Sequence, residues 1–343
     1  MPSTFSPKSG EEVSVSAMSK AYPRGYQARG EGGRLPYARK VKIPALSAEV
    51  HAALEAGKPV VALESTIISH GLPRGQNLQA ARAWENQVRE AGATPATVAV
   101  IDGVPKVGLS AFELERIASE DIPKASVRDL PVVMGLAVSG ATTVASTAYL
   151  AHLAGVRVFA TGGLGGVHRG ANESFDESAD IPILSSTPIT VVSAGVKSIL
   201  DIQATLERLE TLSVAVVGYR TNTFPAFWLR ESAFSLEWRV EEAGEIAAIM
   251  GARDDLGQQG GVLVANPVPE HQQWDPLLHD EILASALTAA HDEGIRGNDV
   301  TPFLLAYVLE KSKGESLRVN LDLVTNNVGL ASEIAIAWSQ LRP

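Results

Sequence analysis

The chain has 343 residues, 45% of them hydrophobic, and carries 29 lysines and arginines against 39 acidic residues. This composition is typical of a globular protein, and the net charge of -10 disfavours nucleic acid as a partner because an acidic surface repels a phosphate backbone. The chain contains no cysteine, which excludes disulfides and thiolate chemistry and agrees with the cytoplasm as the expected location. No apolar stretch is long enough to cross a bilayer, so a membrane partner is not expected.

The beginning of the chain differs in composition from the rest. Residues 1–41 are rich in Ser, Gly, Pro and Arg and show no sustained apolar period. This pattern predicts a flexible extension over residues 1–41, followed by one domain over residues 42–343.

Within residues 42–343, short apolar runs alternate with helical patterns. In chain order, the predicted strands are PVVALEST, ATVAVIDG, VRVFATGG, PITVVSAG, VAVVGY and GGVLVAN. The main predicted helices are QNLQAARAWENQVREAG, SAFELERIAS, ATTVASTAYLAHLAG, VKSILDIQATLERLE, Glu242 to Met250, EILASALTAAHDEG, TPFLLAYVLEKS and NLDLVTNNVGLASEIAIAWSQL. Valine-rich strands alternating with helices predict an α/β protein, a three-layer α/β/α single domain with a central, largely parallel (mixed) sheet.

Polar residues follow four of the predicted strands at the point where each strand ends. These residues are Glu64, Thr161, Ser193 and Asn266. In open α/β sheets, ligands bind at the carboxyl ends of the strands. We therefore expect the four strand ends to converge on one edge of the sheet and to form the active site there.

Lys197 is the sharpest single candidate for covalent chemistry. It follows a strand-to-helix junction and is predicted to lie in the first turn of the next helix, whose positive end favours the neutral amine. The apolar neighbours Val192 and Val196 favour the neutral form as well. A neutral amine is what a Schiff-base nucleophile requires, whereas the alternative is a surface or phosphate-binding lysine.

Glu64 ends a buried apolar strand, where an acid is costly unless it has a partner. Its functional interpretation is a general acid with a raised pKa. The alternative is a structural acceptor for nearby backbone donors.

A glycine-rich segment from Thr161 to Gly170 carries His168 and Arg169 near its end. Backbone N–H groups in such a segment can approach an anion closely, although a tight turn that needs glycine for packing is the alternative. The chain has no G-x-x-x-x-G-K-[ST] motif, which disfavours nucleotide chemistry on a P-loop.

Two further segments combine ionisable residues. The first contains four carboxylates, Glu173, Asp176, Glu177 and Asp180. They could supply oxygen ligands for Mg²⁺ or Mn²⁺, and the alternative is an acidic loop exposed to solvent. The segment over residues 271–280 mixes histidines and aspartates and is predicted to approach a helix on the surface.

Lys124 and the threonines at the start of a predicted helix, Thr142 and Thr143, are candidate phosphate contacts, since a lysine supplies charge and a helix N-terminus supplies donors. Three asparagines interrupt the apolar C-terminal helix: Asn320, Asn326 and Asn327. An amide can pair with the edge of a base-like ring, and the alternative is a set of satisfied core asparagines.

Taken together, these residues resemble the pseudouridine-5'-phosphate glycosidase family over essentially all of residues 42–343. The resemblance rests on the blocks VALESTIISHGLPRGQN, VAVIDGVPKVGL, VFATGGLGGVHRG, SADIP, VVSAGVKSILDI, VGYRTNTFPAFW and VTPFLLAYVLE. It implies reversible cleavage of the C1'–C5 bond of pseudouridine 5'-phosphate to uracil and ribose 5-phosphate, by a lyase also called pseudouridylate synthase.

The resemblance also implies roles for individual residues. Lys197 matches the Schiff-base lysine, Glu64 the proton donor, and Asp176 the ligand of a divalent metal, Mn²⁺. His168 matches a residue near the sugar and is counted with the catalytic group. The substrate-contacting positions are Lys124, Val144, Ser178, Ala179, Asp180 and, at the uracil edge, Asn320; Thr143 joins them as a phosphate contact. The family further implies a homotrimer.

Three alternatives remain open from the sequence. The same lysine would also serve a class I aldolase-like lyase acting on another sugar phosphate. A sugar kinase is disfavoured but not excluded by the missing P-loop. A protein that binds a nucleotide or sugar phosphate without turnover is the third alternative.

Overall fold

The computed structural model describes residues 44–295 and 300–341, so the extension predicted for residues 1–41 lies outside the described residues. The strands of the described residues are β1 Ala45–Leu46, β2 Val60–Glu64, β3 Thr94–Ile101, β4 Val104–Val107, β5 Lys124–Ala125, β6 Gly140–Thr142, β7 Val158–Ala160, β8 Thr190–Ser193, β9 Ala215–Tyr219, β10 Arg239–Val240 and β11 Val262–Ala265. The α-helices are α1 Ala48–Glu55, α2 Gln76–Glu90, α3 Ala111–Ser119, α4 Leu130–Gly135, α5 Val144–Ala154, α6 Ala171–Ser174, α7 Asp180–Ser185, α8 Ile202–Thr211, α9 Ala243–Asp255, α10 Pro276–Asp292, α11 Val300–Lys311 and α12 Glu315–Leu341.

These strands form one sheet in the order β1-β4-β3-β2-β7-β8-β11-β9-β10, with β6 pairing to both β3 and β5. Pairing is parallel except between β3 and β4 and between β3 and β6. The central strands β2, β7, β8 and β11 are buried along their whole length, as expected for parallel strands covered on both faces. The predicted three-layer α/β/α domain with a largely parallel, mixed sheet is confirmed.

A hairpin with a two-residue turn joins β3 to β4 in the antiparallel part of the sheet. Asp102 and Gly103 join β3 to β4 with φ values of 48° and 78°, the left-handed conformations that such a turn requires. A Cβ on Gly103 would lie 2.7 Å from the Cα of Ala137, so only glycine fits at this position. The hairpin confines the antiparallel pairs to one side of β2 and leaves the parallel strands from β2 to β10 uninterrupted.

The long helix α12 crosses the central strands. It packs on β2, β7 and β8 and against α2 and α9, burying an apolar stripe that includes Val319, Leu323 and Val328. The apolar helix α5 packs on β2, β3 and β4 and ends at Gly155, whose φ of 93° closes it. Each helix within residues 44–295 and 300–341 is too short or too polar to cross a lipid bilayer.

The polar strand ends lie side by side. Because β2, β7, β8 and β11 are parallel neighbours, Glu64, Thr161, Ser193 and Asn266 meet at the same edge of the sheet. The prediction that these strand ends converge is confirmed.

The structure corrects the position of Lys197. Helix α8 begins at Ile202, because the Asp201 side chain accepts a 2.9 Å hydrogen bond from the backbone N–H of Ala204 and caps the helix there. Lys197 lies in the loop between β8 and α8. The prediction that places it in the first helical turn is wrong, and the helix-dipole argument for a neutral amine does not apply.

The structure also corrects the segment over residues 271–280. Its helix, α10, begins at Pro276, earlier than the predicted start at Glu281, and His279 is only 4% exposed. Its ring packs edge-on against Trp228 and Trp274. The surface prediction is therefore wrong for His279, because Trp228, from a distant part of the chain, and Trp274, from the same segment, pack against its ring.

Candidate active site

Glu64 is a buried acid at the carboxyl end of β2. Its side chain is only 9% exposed, and the hydroxyl of Thr161 donates a 2.7 Å hydrogen bond to its Oε1. Burial raises the pKa of Glu64 to about 7, against the opposing effects of the Lys197 charge, the Thr161 hydrogen bond and the Lys124 charge. The carboxyl group therefore carries a proton in a substantial fraction of molecules near neutral pH, as a general acid requires.

The backbone of Lys197 is fixed by the glycine-rich segment. Its N–H donates a 3.2 Å hydrogen bond to the carbonyl oxygen of Leu164, and its own carbonyl accepts from the N–H of Leu200 at 2.9 Å. The loop turns at Gly195, where φ is +88° and a Cβ would lie 2.4 Å from the carbonyl oxygen of Pro225. These contacts hold the backbone of Lys197 just after the carboxyl end of β8, next to the carboxyl end of β7.

One cavity contains the side chains of both residues. It is lined by Glu64, Thr66, Ile67, His70, Gly71, Lys124, Gly162, Gly163, Lys197, Phe227, Thr301, Leu305, Asn320, Leu323 and Val324. Four predicted site residues are thus brought together: the two lysines, the acid and the first asparagine of α12. The two lysines bring basic side chains to the cavity, and α11 and α12 line it with apolar side chains.

Lys124 is an exposed residue that lines this cavity. Its side chain reaches solvent, yet surrounding protein atoms desolvate the ammonium group, and this desolvation together with the charge of Lys197 lowers the pKa of Lys124; the charge of Glu64 opposes them. Nearby, His70 places Nε2 2.8 Å from the carbonyl oxygen of Ile122, and desolvation and the Lys124 charge lower its pKa. A cluster of this charge suits an anionic ligand such as a phosphate.

The three asparagines of α12 have different surroundings. Asn320 lines the cavity and accepts a 2.6 Å hydrogen bond from the indole N–H of Trp228. Asn327 is fully buried: its amide donates to the carbonyl oxygen of Thr161 at 2.7 Å and accepts from Asn266 at 2.9 Å. Asn326 donates to the carbonyl oxygen of Pro267. Only Asn320 therefore faces the cavity, and the other two fasten α12 to the strand ends.

The glycine-rich segment packs against the acidic segment over residues 176–180. A Cβ on Gly165 would lie 2.3 Å from Ser178 Oγ, and one on Gly166 would lie 2.4 Å from Thr205 Oγ1. Asp180 is 6% exposed, and its two oxygens accept from the N–H groups of Ala145 and Gly165 at 2.9 and 2.8 Å. At these positions glycine is required by close packing, which was one of the two interpretations of the sequence.

Asp180 links the glycine-rich segment to the first turn of α5. Thr143 precedes that helix, with its hydroxyl 3.3 Å from Ser146 Oγ, and Val144 is 3% exposed. The negative charge of Asp180 also raises the pKa of Glu64, so the carboxylate lies close to the acid. The lining of the cavity does not include Thr143, Val144, Ser178, Ala179 or Asp180, and their substrate contacts stay predictions.

His168 and Asp176 form a pair beside this segment. Their side chains approach to 3.7 Å between Nδ1 and Oδ2, and the N–H of His168 donates to the carbonyl oxygen of Asp176 at 3.0 Å. In the described part of the chain, no group of three or more His, Cys, Asp or Glu side chains is placed to hold a metal ion. Two protein ligands, His168 and Asp176, fit a Mn²⁺ or Mg²⁺ ion that keeps most of its water ligands. They do not fit a site in which the protein supplies all the ligands. Neither residue lines the cavity of Glu64 and Lys197.

Some residues that line the cavity were not predicted as site residues from the sequence. Phe227, Thr301 and Leu305 line the cavity, but none carries a local chemical signal. The only sign of their importance is that they fall within two of the blocks that resemble the known family, VGYRTNTFPAFW and VTPFLLAYVLE.

The fold and the site define an α/β/α enzyme with a candidate active site at the carboxyl edge of a largely parallel sheet. The family model described as "Indigoidine synthase A like protein" matches residues 49–337. The chain is 59% identical to the pseudouridine-5'-phosphate glycosidase of Frankia alni, over 86% of this chain and 82% of that protein. It is 54% identical to that of Saccharopolyspora erythraea, over 87% and 99% of the two chains, and 50% identical to that of Caldanaerobacter subterraneus, over 86% and 97%.

Two solved structures share the fold. The prealnumycin C-glycosynthase AlnA, in complex with ribulose 5-phosphate, superposes with a TM-score of 0.81 at 37% identity, over 87% of this chain and 97% of that one. An indigoidine synthase A-like protein from Thermotoga maritima gives 0.78 at 36% identity, over 86% and 96%. The chain belongs to the indigoidine synthase A like family, together with the pseudouridine-5'-phosphate glycosidases that it matches, and the resemblance predicted from the sequence blocks is confirmed.

Proposed function

We propose that the protein reversibly cleaves the C1'–C5 bond of pseudouridine 5'-phosphate to give uracil and ribose 5-phosphate. The observation that carries this proposal is the cavity that Lys197 and Glu64 line together, since it combines an amine with a carboxyl group whose pKa is about 7. The names of the close relatives and the sugar phosphate bound by the C-glycosynthase AlnA support the same substrate class.

The bond to be broken explains the need for an amine. Two carboxylates suffice to hydrolyse an O-glycoside, because the leaving group is an oxygen. In pseudouridine the base leaves through carbon, so the sugar carbon needs a group that accepts the positive charge as the bond breaks. A lysine bonded to C1' supplies that group by forming an iminium.

The reaction is proposed to begin with opening of the ribose ring. Glu64 gives its proton to the ring oxygen as the C1'–O4' bond breaks, and Lys197 Nζ forms a bond to C1'. Bonding to C1' leaves Nζ with an extra proton, and this proton is transferred to C5 of the base. The nitrogen lone pair then forms the C1'=N double bond as the C1'–C5 bond breaks, and the electrons of that bond restore the C5=C6 double bond of uracil. Uracil leaves, and water hydrolyses the iminium to release ribose 5-phosphate and the free lysine.

The remaining residues are proposed to position the substrate. Lys124 supplies positive charge for the sugar phosphate, and Asn320 contacts the edge of the base from the apolar end of the cavity. Thr143, Val144 and the segment over residues 178–180 contact the substrate from the side of α5. His168 acts near the sugar.

We further propose that Asp176 binds a divalent ion, Mn²⁺, with His168 beside it. When bound, such an ion neutralises negative charge near the sugar phosphate. The proposed assembly is a homotrimer in the cytoplasm. A trimer is tested by light scattering after size-exclusion chromatography, where it gives three times the chain mass of 36.2 kDa.

The direct test is incubation of the purified protein with pseudouridine 5'-phosphate and Mn²⁺, followed by chromatography of the products. The proposal predicts equal amounts of uracil and ribose 5-phosphate over many turnovers, and pseudouridine 5'-phosphate from the two products in the reverse direction. Sugar fragments from cleavage between two sugar carbons would favour the aldolase-like lyase. Consumption of ATP would favour a kinase, and binding without turnover would favour a regulator.

A further inference from the structure

Trp228 and Asn320 form a hydrogen-bonded pair at the wall of the cavity. The indole Nε1–H of Trp228 donates to Asn320 Oδ1 over 2.6 Å, and the tryptophan is 1% exposed. Asn320 lies at the boundary between this buried indole and the cavity, which it lines. The side-chain Nδ2 of Asn320 has no hydrogen-bond partner among the described residues, so its two N–H groups are free for a ligand.

The indole determines which end of the amide faces the cavity. An indole N–H only donates, so the amide oxygen must point toward Trp228. If the amide were reversed, two donors would face each other and the buried indole N–H would lose its hydrogen-bond partner. The cavity therefore meets the amino group of Asn320, which donates and does not accept.

The indole itself has little freedom to turn. Its ring packs against Phe227 at 5.3 Å, edge-on against Trp274 at 5.6 Å and against His279 at 6.0 Å between ring centres. The carbonyl oxygen of Trp228 accepts from the N–H of Trp274 at 3.0 Å. Such packing keeps the indole in one rotamer, so the direction of its N–H is fixed before a ligand binds.

The same chain segment is tied to the catalytic loop. Ser198, next to Lys197, donates a 2.6 Å hydrogen bond to the carbonyl oxygen of Ala226. The N–H of Phe227 donates to the carbonyl oxygen of Ala194 at 3.0 Å, and the Phe227 ring lines the cavity. The position of the Asn320 amide is thereby set relative to the lysine that would hold the sugar.

We propose that Trp228 is a positioning residue for base recognition: it holds Asn320 so that its amino group selects a base with a carbonyl oxygen at the contacted edge. This inference rests on the proposed function. A donor pairs with an exocyclic oxygen of uracil and is repelled by the amino group that cytosine carries at the corresponding position. The pair thus excludes amino-substituted pyrimidines without any charged group at the base.

The test is the synthetic direction with uracil and ribose 5-phosphate, comparing wild type with Trp228→Phe, which keeps an aromatic ring and loses the N–H. The expected result is a rise of about 5- to 10-fold in KM for uracil, the effect of one lost hydrogen bond. The KM for ribose 5-phosphate stays within about twofold, because the sugar end of the cavity is unchanged. The preference for uracil over cytosine falls by a similar factor. It is measured as the ratio of the constants with which the two bases inhibit the cleavage of pseudouridine 5'-phosphate.

Trp274→Phe is the matched control. Trp274 belongs to the same aromatic cluster and is 1% exposed, but its indole N–H has no partner among the described residues. It is expected to leave both KM values within about twofold of wild type. Asn320→Asp is a second variant that does not disturb the cluster: it keeps an oxygen for the indole and presents an oxygen to the base, so KM for uracil rises about tenfold or more.

The outcomes separate the two proposals. A wild-type protein without turnover in either direction overturns the proposed function and this inference with it. An active wild type whose uracil KM is unchanged in Trp228→Phe or Asn320→Asp overturns the inference alone. So does a Trp228→Phe variant that raises both KM values equally, or that behaves like Trp274→Phe.

Discussion

The Thr161 hydroxyl donates a 2.7 Å hydrogen bond to Oε1 of Glu64, across the boundary between two neighbouring parallel strands. The bond lowers the pKa of Glu64, whereas burial raises it, and the balance leaves the pKa at about 7. The carbonyl oxygen of the same threonine is held by the buried amide of Asn327. The proton affinity of the proposed acid therefore depends on a residue whose position is fixed from two sides.

The first prediction concerns the pH dependence of the reaction. Catalysis that needs protonated Glu64 is lost as the pH rises through about 7. Thr161→Val keeps the shape of the side chain and removes the hydrogen bond that favours the ionised form, so the pKa of Glu64 rises. We expect the alkaline limb of the kcat/KM profile to move to higher pH by up to about one unit, the equivalent of one hydrogen bond.

Thr190→Val is the control for this experiment. Thr190 lies at the opposite end of β8, and its buried hydroxyl has no partner in the part of the chain that the structure describes. It should leave the profile where it is. If the alkaline limb moves equally in both variants, or in neither, the Thr161 hydrogen bond does not control the pKa of Glu64.

The second prediction concerns stability. The pKa of Glu64 rises from 4.5 to about 7 on folding, so the folded state holds the proton over a pH range in which the unfolded chain has released it. The free energy of unfolding therefore decreases as the pH rises from about 4.5 to 7, and the loss remains above pH 7. Glu64→Gln does not titrate. Relative to wild type, its free energy of unfolding should increase by about 3 kcal/mol between pH 4.5 and pH 8.

Urea unfolding of both proteins at several pH values measures this difference, and titrations common to both proteins cancel. The same variant should lose most of its turnover, because an amide has no proton to give. A stability difference that stays constant from pH 4.5 to pH 8 would mean that folding does not raise the pKa of Glu64. The carboxyl group would then be ionised near neutral pH and could not act as the general acid.

The third prediction concerns the packing of the glycine-rich segment. Gly165→Ala places a Cβ 2.3 Å from Ser178 Oγ and 2.9 Å from Asp180 Oδ2, so the segment over residues 176–180 must move. We expect a loss of about 1–3 kcal/mol in the free energy of unfolding and a rise in KM for the sugar phosphate. The same substitution at Gly244 in α9 meets no atom within 4 Å and should stabilise the protein by up to about 1 kcal/mol. Equal effects at both glycines would contradict the packing account.

The fourth prediction concerns the metal. If Asp176 is a ligand, Asp176→Asn weakens Mn²⁺ binding by about tenfold or more, since a charged oxygen donor is lost. The electron paramagnetic resonance signal of free Mn²⁺ measures binding without any assay of activity. Glu173→Gln removes the same charge from an exposed position nearby and should change the affinity by less than about twofold. Equal weakening in the two variants would indicate general charge attraction and no specific ligand.

The polar residues at the strand ends of the site were predictable from sequence, because each of them comes at the end of an apolar run. Glu64 ends such a run in β2, and parallel neighbours necessarily deliver their ends to one edge. Asn320 was found because asparagine is unusual on an apolar helix, but the sequence did not distinguish it from Asn326 and Asn327. That distinction depends on how α12 lies across β2, β7 and β8.

Other features depended on contacts between distant parts of the chain. The apolar residues after Lys197 look helical by period, yet Asp201 starts the helix later, and the loop shape depends on Gly195 lying against Pro225. His279 was predicted to lie on the surface with the histidines and aspartates of its segment, but the ring of Trp228, from a distant part of the chain, packs against it. Local pattern carries no information about such contacts.

The fifth prediction tests the central claim, that Lys197 forms a covalent bond to the sugar. Wild-type protein and Lys197→Ala are each incubated with ribose 5-phosphate and borohydride, which reduces an iminium to a stable amine, and peptides are analysed by mass spectrometry. The account predicts one ribose 5-phosphate adduct per chain, located on Lys197 in the wild type and missing from the folded but inactive variant. An adduct on Lys124, or an active enzyme that yields no adduct under any turnover condition, would contradict it.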